Sequence, residues 1–115
     1  AYAYTLALQN RRLDDARYYV ELALEYTPDQ ASNLDTLGYI TYLQNDFETS
    51  AQVLGRAYTL SNSISIGVRY AKALYMQGKI TEFSTVLQQL KQKHPNDPQL
   101  EQLSSLLLPQ QMKKS

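Results

Sequence analysis

The chain of 115 residues has no cysteine, one histidine, four glycines and four prolines. Without cysteine there is no disulfide framework and no thiolate zinc site. A cysteine-free chain suits reducing and oxidising compartments alike, so location stays open. The single histidine, His94, has no cluster of His, Asp or Glu at ligand spacing around it, so it founds neither a metal centre nor a catalytic base. Next to Pro95, it reads as a complement to a helix C-terminal dipole. Four scattered glycines build no phosphate cradle. No apolar run reaches the roughly 18–20 residues that span a bilayer, and no charged-then-apolar signal segment is present. The chain begins at Ala1 without a Met, which leads us to expect a piece of a longer protein. Sustained alternation of apolar and polar residues is missing, so no sheet is expected.

The charge balance is also flat. Formal net charge is zero with a pI near 6.8, which lacks the electrostatic footprint of a nucleic-acid binder. The two signs are unevenly placed, however. Residues 1–64 carry four Arg against eight acids, and residues 65–115 carry seven Lys and Arg against three acids. The halves are therefore −4 and +4. Such a dipole steers a partner or favours contacts between copies; drift in solvated surface charge gives the same pattern. The carboxylate pairs Asp14-Asp15 and Glu21/Glu25 suit helix starts and a solvated face. Adjacent acids on a helix point apart, which is poor geometry for paired acid–base work. No enzyme and no cofactor is expected.

What is present is a period. Shifting the sequence by 34 sets Leu13 on Phe47, Ala16 on Ser50, Val20 on Leu54 and Ala23 on Ala57. The next copy follows at 33, with Leu37-Gly38 on Tyr70-Ala71, Asn45 on Gly78, Phe47 on Ile80 and Leu54 on Leu87. Pro28 and Pro95 punctuate the series, and Asn62 takes the place of the proline between them. Within each unit apolar residues recur at three- and four-residue steps, the stripe of an amphipathic helix. Asp46 reads as an N-cap and Gly78 as a helix terminator. The spacing predicts helices over 2–10, 13–26, 30–44, 47–60, 64–77, 80–94 and 98–108.

On these residues the chain resembles the tetratricopeptide repeat family, whose unit of about 34 residues is a helix–turn–helix. The first unit supplies Ala16, Val20, Ala23 and Pro28; the second Leu37, Gly38, Phe47, Leu54 and Ala57. The third supplies Tyr70, Ala71, Leu74, Gly78, Ile80, Leu87, Leu90 and Pro95. The resemblance implies an all-α fold, an α-solenoid of antiparallel helix pairs with about three tetratricopeptide repeats plus a C-terminal capping helix. Its divisions would be 1–29 with a truncated first helix, 30–63, 64–96, a cap over 97–108 and a disordered tail over 109–115. Asp97 and Pro98 open the cap, and Leu100, Leu103 and Leu107 form its stripe. Ser50 and Phe83 depart from the small Ala of the tight crossing, and Phe83 should widen its helix pair or point outward.

In the family the first helix of each pair lines a concave groove that holds partners. Transferred by position, the groove presents Thr5 and Leu8, then Asp35, Tyr39, Tyr42 and Leu43, then Val68, Arg69, Lys72, Tyr75 and Met76. Tyr and Arg are favoured at binding hot spots; as a plain alternative, Tyr is tolerated on helix surfaces, as we read Tyr18, Tyr19, Tyr26 and Tyr58. Family members that clamp acidic chaperone tails use Lys, Asn, Asn, Lys and Arg at places held here by Ala1, Thr5, Thr36, Ser65 and Arg69. Only Arg69 fits, so a helix or extended peptide is the better occupant. The resemblance thus implies a non-catalytic protein–protein interaction scaffold for a protein or peptide partner, without nucleic acid or membrane insertion. A structural spacer or self-associating module, a homo-oligomer included, is the alternative, as is an accessory domain of a larger enzyme. The Gln- and Tyr-rich, Cys-free texture is similar to bacterial repeat proteins of envelope, pilus or exopolysaccharide assembly, in the cytoplasm or the periplasm.

Overall fold

The structure, a computed structural model, describes residues 2–107, with side chains from residue 9 onward. Six helices and no strand are found among them: α1 (Tyr2–Tyr26), α2 (Ala31–Leu43), α3 (Phe47–Ser61), α4 (Ile64–Met76), α5 (Ile80–Lys93) and α6 (Pro98–Ser105). Five match the expected helices to within a few residues. The first two expected helices, 2–10 and 13–26, are instead one helix of 25 residues. Asn10-Arg11-Arg12 contains neither Gly nor Pro. Extending a helix adds one hydrogen bond per residue fixed, whereas starting a new one is costly. With no breaker the ladder runs through, so residues 1–29 hold one helix and not a pair. The proposed tail over 109–115 and the end of the cap at 108 lie outside the described residues, as do the side chains of Thr5 and Leu8. No helix of the described residues is long and apolar enough to cross a membrane.

The turns after α2 and α4 share one backbone geometry. After α2, Asn45 takes φ 64, and 33 residues later Gly78 takes φ 83 after α4. This left-handed step favours Gly or Asn, and it ends helices in a paired hydrogen-bond motif. The Asn45 N–H donates to Tyr42 O at 3.0 Å and that of Asp46 to Thr41 O at 2.8 Å. At the second turn the Gly78 N–H donates to Tyr75 O at 2.9 Å and that of Lys79 to Leu74 O at 3.0 Å. Each bond recurs at the same offset. The helix that follows is capped by a side chain in one case only: Asp46 accepts from the Thr49 N–H at 3.2 Å, while Lys79 offers no acceptor.

The core forms where α2, α3, α4 and α5 pack in sequence, α2 on α3, α3 on α4 and α4 on α5. Leu54, Ala57, Ala71, Ala73, Phe83 and Leu90 are fully buried. Gly38 lets α2 and α3 touch: a Cβ there would stand 2.3 Å from Leu54 Cγ. Ser50, expected to be a departure from the packing rule, is buried at the same crossing, and its hydroxyl donates to Gly38 O at 2.7 Å. A hydroxyl that meets a carbonyl escapes the cost of a buried unpaired polar group. Phe83 does not point outward. It is completely buried, packed edge-on against Tyr75 with ring centroids 5.4 Å apart. Tyr58, read as a surface residue, also lies in the core, because the α3 stripe continues by four-residue steps through Ser50, Leu54 and Tyr58. Leu60, on the three-residue step from Ala57, is left exposed.

At the far end α6 packs on both α4 and α5. Asp97 caps it by accepting from the Gln99 N–H at 2.8 Å, and Pro98 fills its first turn. Leu100 and Leu103 are buried, with Leu106 and Leu107 packed against the same cluster. At the near end α1 packs on α2. None of the α1 side chains described is buried; Leu13, Ala16, Val20, Ala23 and Leu24 are half-buried. A polar bracket fastens it instead. Arg17 Nη1 donates to Gln44 Oε1 at 3.0 Å and to Asp46 Oδ2 at 3.2 Å, and Gln44 Nε2 donates to Asp14 Oδ1 at 2.7 Å.

Candidate functional site

Helices α2 and α4 contact each other, which makes neighbours of residues far apart in sequence. Asp35 and Arg69, 34 positions apart, form an ion pair at 2.8 Å. The Arg69 guanidinium also lies over the Tyr39 ring, 5.2 Å from its centroid. One cation therefore meets a carboxylate and a ring face, two arrangements that hold a planar guanidinium still.

These residues surround a cavity of about 150 Å³ lined by Gly38, Tyr39, Tyr42, Leu54, Arg69 and Lys72. The structure thus brings together Tyr39, Tyr42, Arg69 and Lys72 at its wall, with Asp35 behind Arg69. Tyr39 is 49% exposed and Lys72 is exposed. Lys72 has no ion pair with any described residue. Tyr42 is half-buried and held edge-on by Phe47 at 5.2 Å, so its ring is pre-set before anything binds. Gly38 and Leu54, read from the sequence as packing alone, are also the floor.

The other expected groove residues divide. Tyr75 is half-buried and committed to the core through Phe83. Met76 is 48% exposed and Leu43 is 46% exposed, and neither lines this cavity. Val68 is buried and is a core residue, because α4 turns it toward the packed cluster.

A wider trough, about 640 Å³, lies between α3 and α5. Its floor includes Gly55, Tyr58 and Tyr70, and its rims carry Gln52, Thr59, Glu82, Thr85 and Gln89. Burial, reinforced by the charge of Glu82, raises the Tyr70 hydroxyl above its usual range, so it stays protonated at neutral pH as a donor. None of the exposed large apolar side chains of the described residues lines this trough.

Burial alone would raise the Asp46 carboxyl; hydrogen bonds from Thr49 and the nearby Arg17 outweigh that, and it is held below 3.8. Its place is structural, joining α1 to the start of α3.

No protein-family model and no curated protein matches the chain.

Proposed function

We propose that the chain is a tetratricopeptide-repeat binding scaffold, an α-solenoid of antiparallel helix pairs without catalytic chemistry, which holds a segment of a protein partner between α2 and α4. The observation that carries this reading is the cavity at Gly38, Tyr39, Tyr42, Arg69 and Lys72. Its walls are aromatic, its floor is apolar, and its edge carries a cation that no described residue neutralises. A large apolar side chain fills it, and a carboxylate beside that side chain meets Lys72. Arg69, already paired with Asp35, orients Tyr39 and adds little net charge. The bond-for-bond repetition of the turns after α2 and α4, with left-handed residues at Asn45 and Gly78, supports the repeat reading.

The test truncates the cavity wall; Tyr42 also packs against Phe47, so thermal stability is measured beside binding. Tyr39→Ala, Tyr42→Ala and Lys72→Ala together should reduce capture of partners from solution by tenfold or more, with an unchanged circular dichroism spectrum. Tyr75 is left intact, because its ring supports Phe83 and truncating it would confuse binding with stability. Capture at the wild-type level by the folded triple variant would remove the groove from consideration.

A further inference from the structure

Helices α3 and α5 each pack on α4 but not on each other. The wide trough lies in the channel this leaves, and α4 supplies Tyr70 to its floor. A smaller hollow of about 170 Å³ adjoins it, sharing Tyr70 and Glu82 with it and adding Glu48, Gln77 and Lys79. Glu48 and Glu82 stand 34 positions apart, each in the first turn of its helix. A carboxylate there complements the helix dipole, which accounts for the residue type but not for the shared hollow. Both are exposed, and neither forms an ion pair with any described residue.

Two buried side-chain atoms of the described residues lack a hydrogen-bond partner, Tyr58 Oη and Gln77 Oε1. Both residues line this channel, Tyr58 in the trough and Gln77 in the hollow. Tyr58 is only 9% exposed. An unpaired buried group carries a desolvation cost that a bound partner returns. What that partner brings follows from the groups on offer. Gln77 Oε1 can only accept. On the rims, Thr59 donates its hydroxyl to Gly55 O at 3.0 Å and Thr85 to Thr81 O at 3.1 Å, which leaves their lone pairs free to accept. The carboxylates accept and carry negative charge. Of the two cations at the wall, Arg56 is tied to Asp29 and Lys79 pairs with neither carboxylate. The channel is thus short of donors and of positive charge. It also holds aromatic surface that suits a cation: Lys93 Nζ already stands 5.5 Å from the centroid of the Tyr58 ring, and Tyr70 lies beside it, with centroids 6.5 Å apart.

We propose that the channel between α3 and α5 binds a linear polyamine, one ammonium held by Glu48, Glu82 and Gln77 and the chain running over Tyr70 toward the Tyr58 hydroxyl. No three acidic or histidine side chains of the described residues converge, so a hard divalent metal lacks its ligands. An ammonium has three donors and is satisfied by three acceptors. A linear chain also fits an open trough that continues from one hollow into a larger one. The channel shares no lining residue with the cavity between α2 and α4, and the proposal stands apart from the groove reading.

The probe is spermidine, titrated into the chain by calorimetry at physiological ionic strength, with magnesium and butylammonium as comparisons. Spermidine should bind more tightly than either. Glu48→Gln and Glu82→Gln should each weaken it by about threefold or more, the loss expected of one solvent-screened charge contact. Glu25→Gln, an exposed acid on α1, should leave binding unchanged. Tyr58→Phe should also weaken binding, yet without ligand it should melt no lower than wild type, because the hydroxyl it loses has no partner. Circular dichroism establishes that each variant is folded. Magnesium binding as tightly as spermidine, or an equal loss in Glu25→Gln, would reduce the effect to diffuse attraction and overturn the proposal. Absence of saturable spermidine binding also overturns it and leaves Glu48 and Glu82 as dipole complements alone. A Tyr58→Phe variant that binds like wild type removes that hydroxyl from the site.

Discussion

At the scale of single residues, two positions decide local geometry by opposite means. Gly38 acts by lacking a side chain. Alanine is favoured over glycine inside a helix by about 1 kcal/mol, yet the added Cβ would sit 2.3 Å from Leu54 Cγ and 2.4 Å from Leu54 Cδ2. Leu54 has no exposed side to retreat to, so the crossing must open. The clash wins: Gly38→Ala should lose about 1–3 kcal/mol of stability in urea denaturation, the usual cost of overpacking. Asp46 acts through charge. Its carboxyl is lowered in the folded chain, so ionisation favours folding. That contribution is complete above the ordinary value of 3.8 and is lost as pH falls through the lowered folded value. Asp46→Asn keeps a side-chain acceptor for the Thr49 N–H but gives up the attraction to Arg17. With the ion pair partly exposed, the variant should be less stable by ~0.5 kcal/mol at neutral pH. The difference should close in acid; an equal deficit on both sides of 3.8 would contradict the assignment.

At the scale of elements, the helices differ in how firmly they are held. The helices α2 to α6 each bury side chains in the core, whereas α1 presents only half-buried ones and the Arg17 bracket. Local opening follows the elements with the fewest buried apolar contacts. In dilute solution, the amides of α1 should exchange with deuterium faster than those of α3 and α4, and mass spectrometry of peptides resolves the two. Most element boundaries were legible in the sequence because each has a chemical cause in place. Asp46 and Asp97 are caps, Gly78 needs a positive φ, and Pro28 and Pro95 cannot continue a helix. The boundary expected near residue 11 had no such cause. It came from the phase of the repeat, and a helix does not stop for a phase.

At the scale of the whole molecule, the sequence by itself determined the all-helical class, the 33-residue interval between Asn45 and Gly78, and the leucines of the last described helix. These follow from periodicity and backbone chemistry, which act over a few residues and are visible in order along the chain. Tertiary structure decided which tyrosines are surface and which are core. Tyr58 and Tyr39 look alike in a list, and a four-residue step in one helix buries the first while the crossing at Gly38 leaves the second beside an open cavity. It also decided that Arg69 is spent on Asp35 while Lys72 pairs with no described residue, since residues 34 apart become neighbours only where α2 and α4 meet. The gathering of Tyr39, Tyr42, Arg69 and Lys72 around one hollow is a property of how helices face one another. Facing is set by packing over long sequence separations, and no local pattern records it.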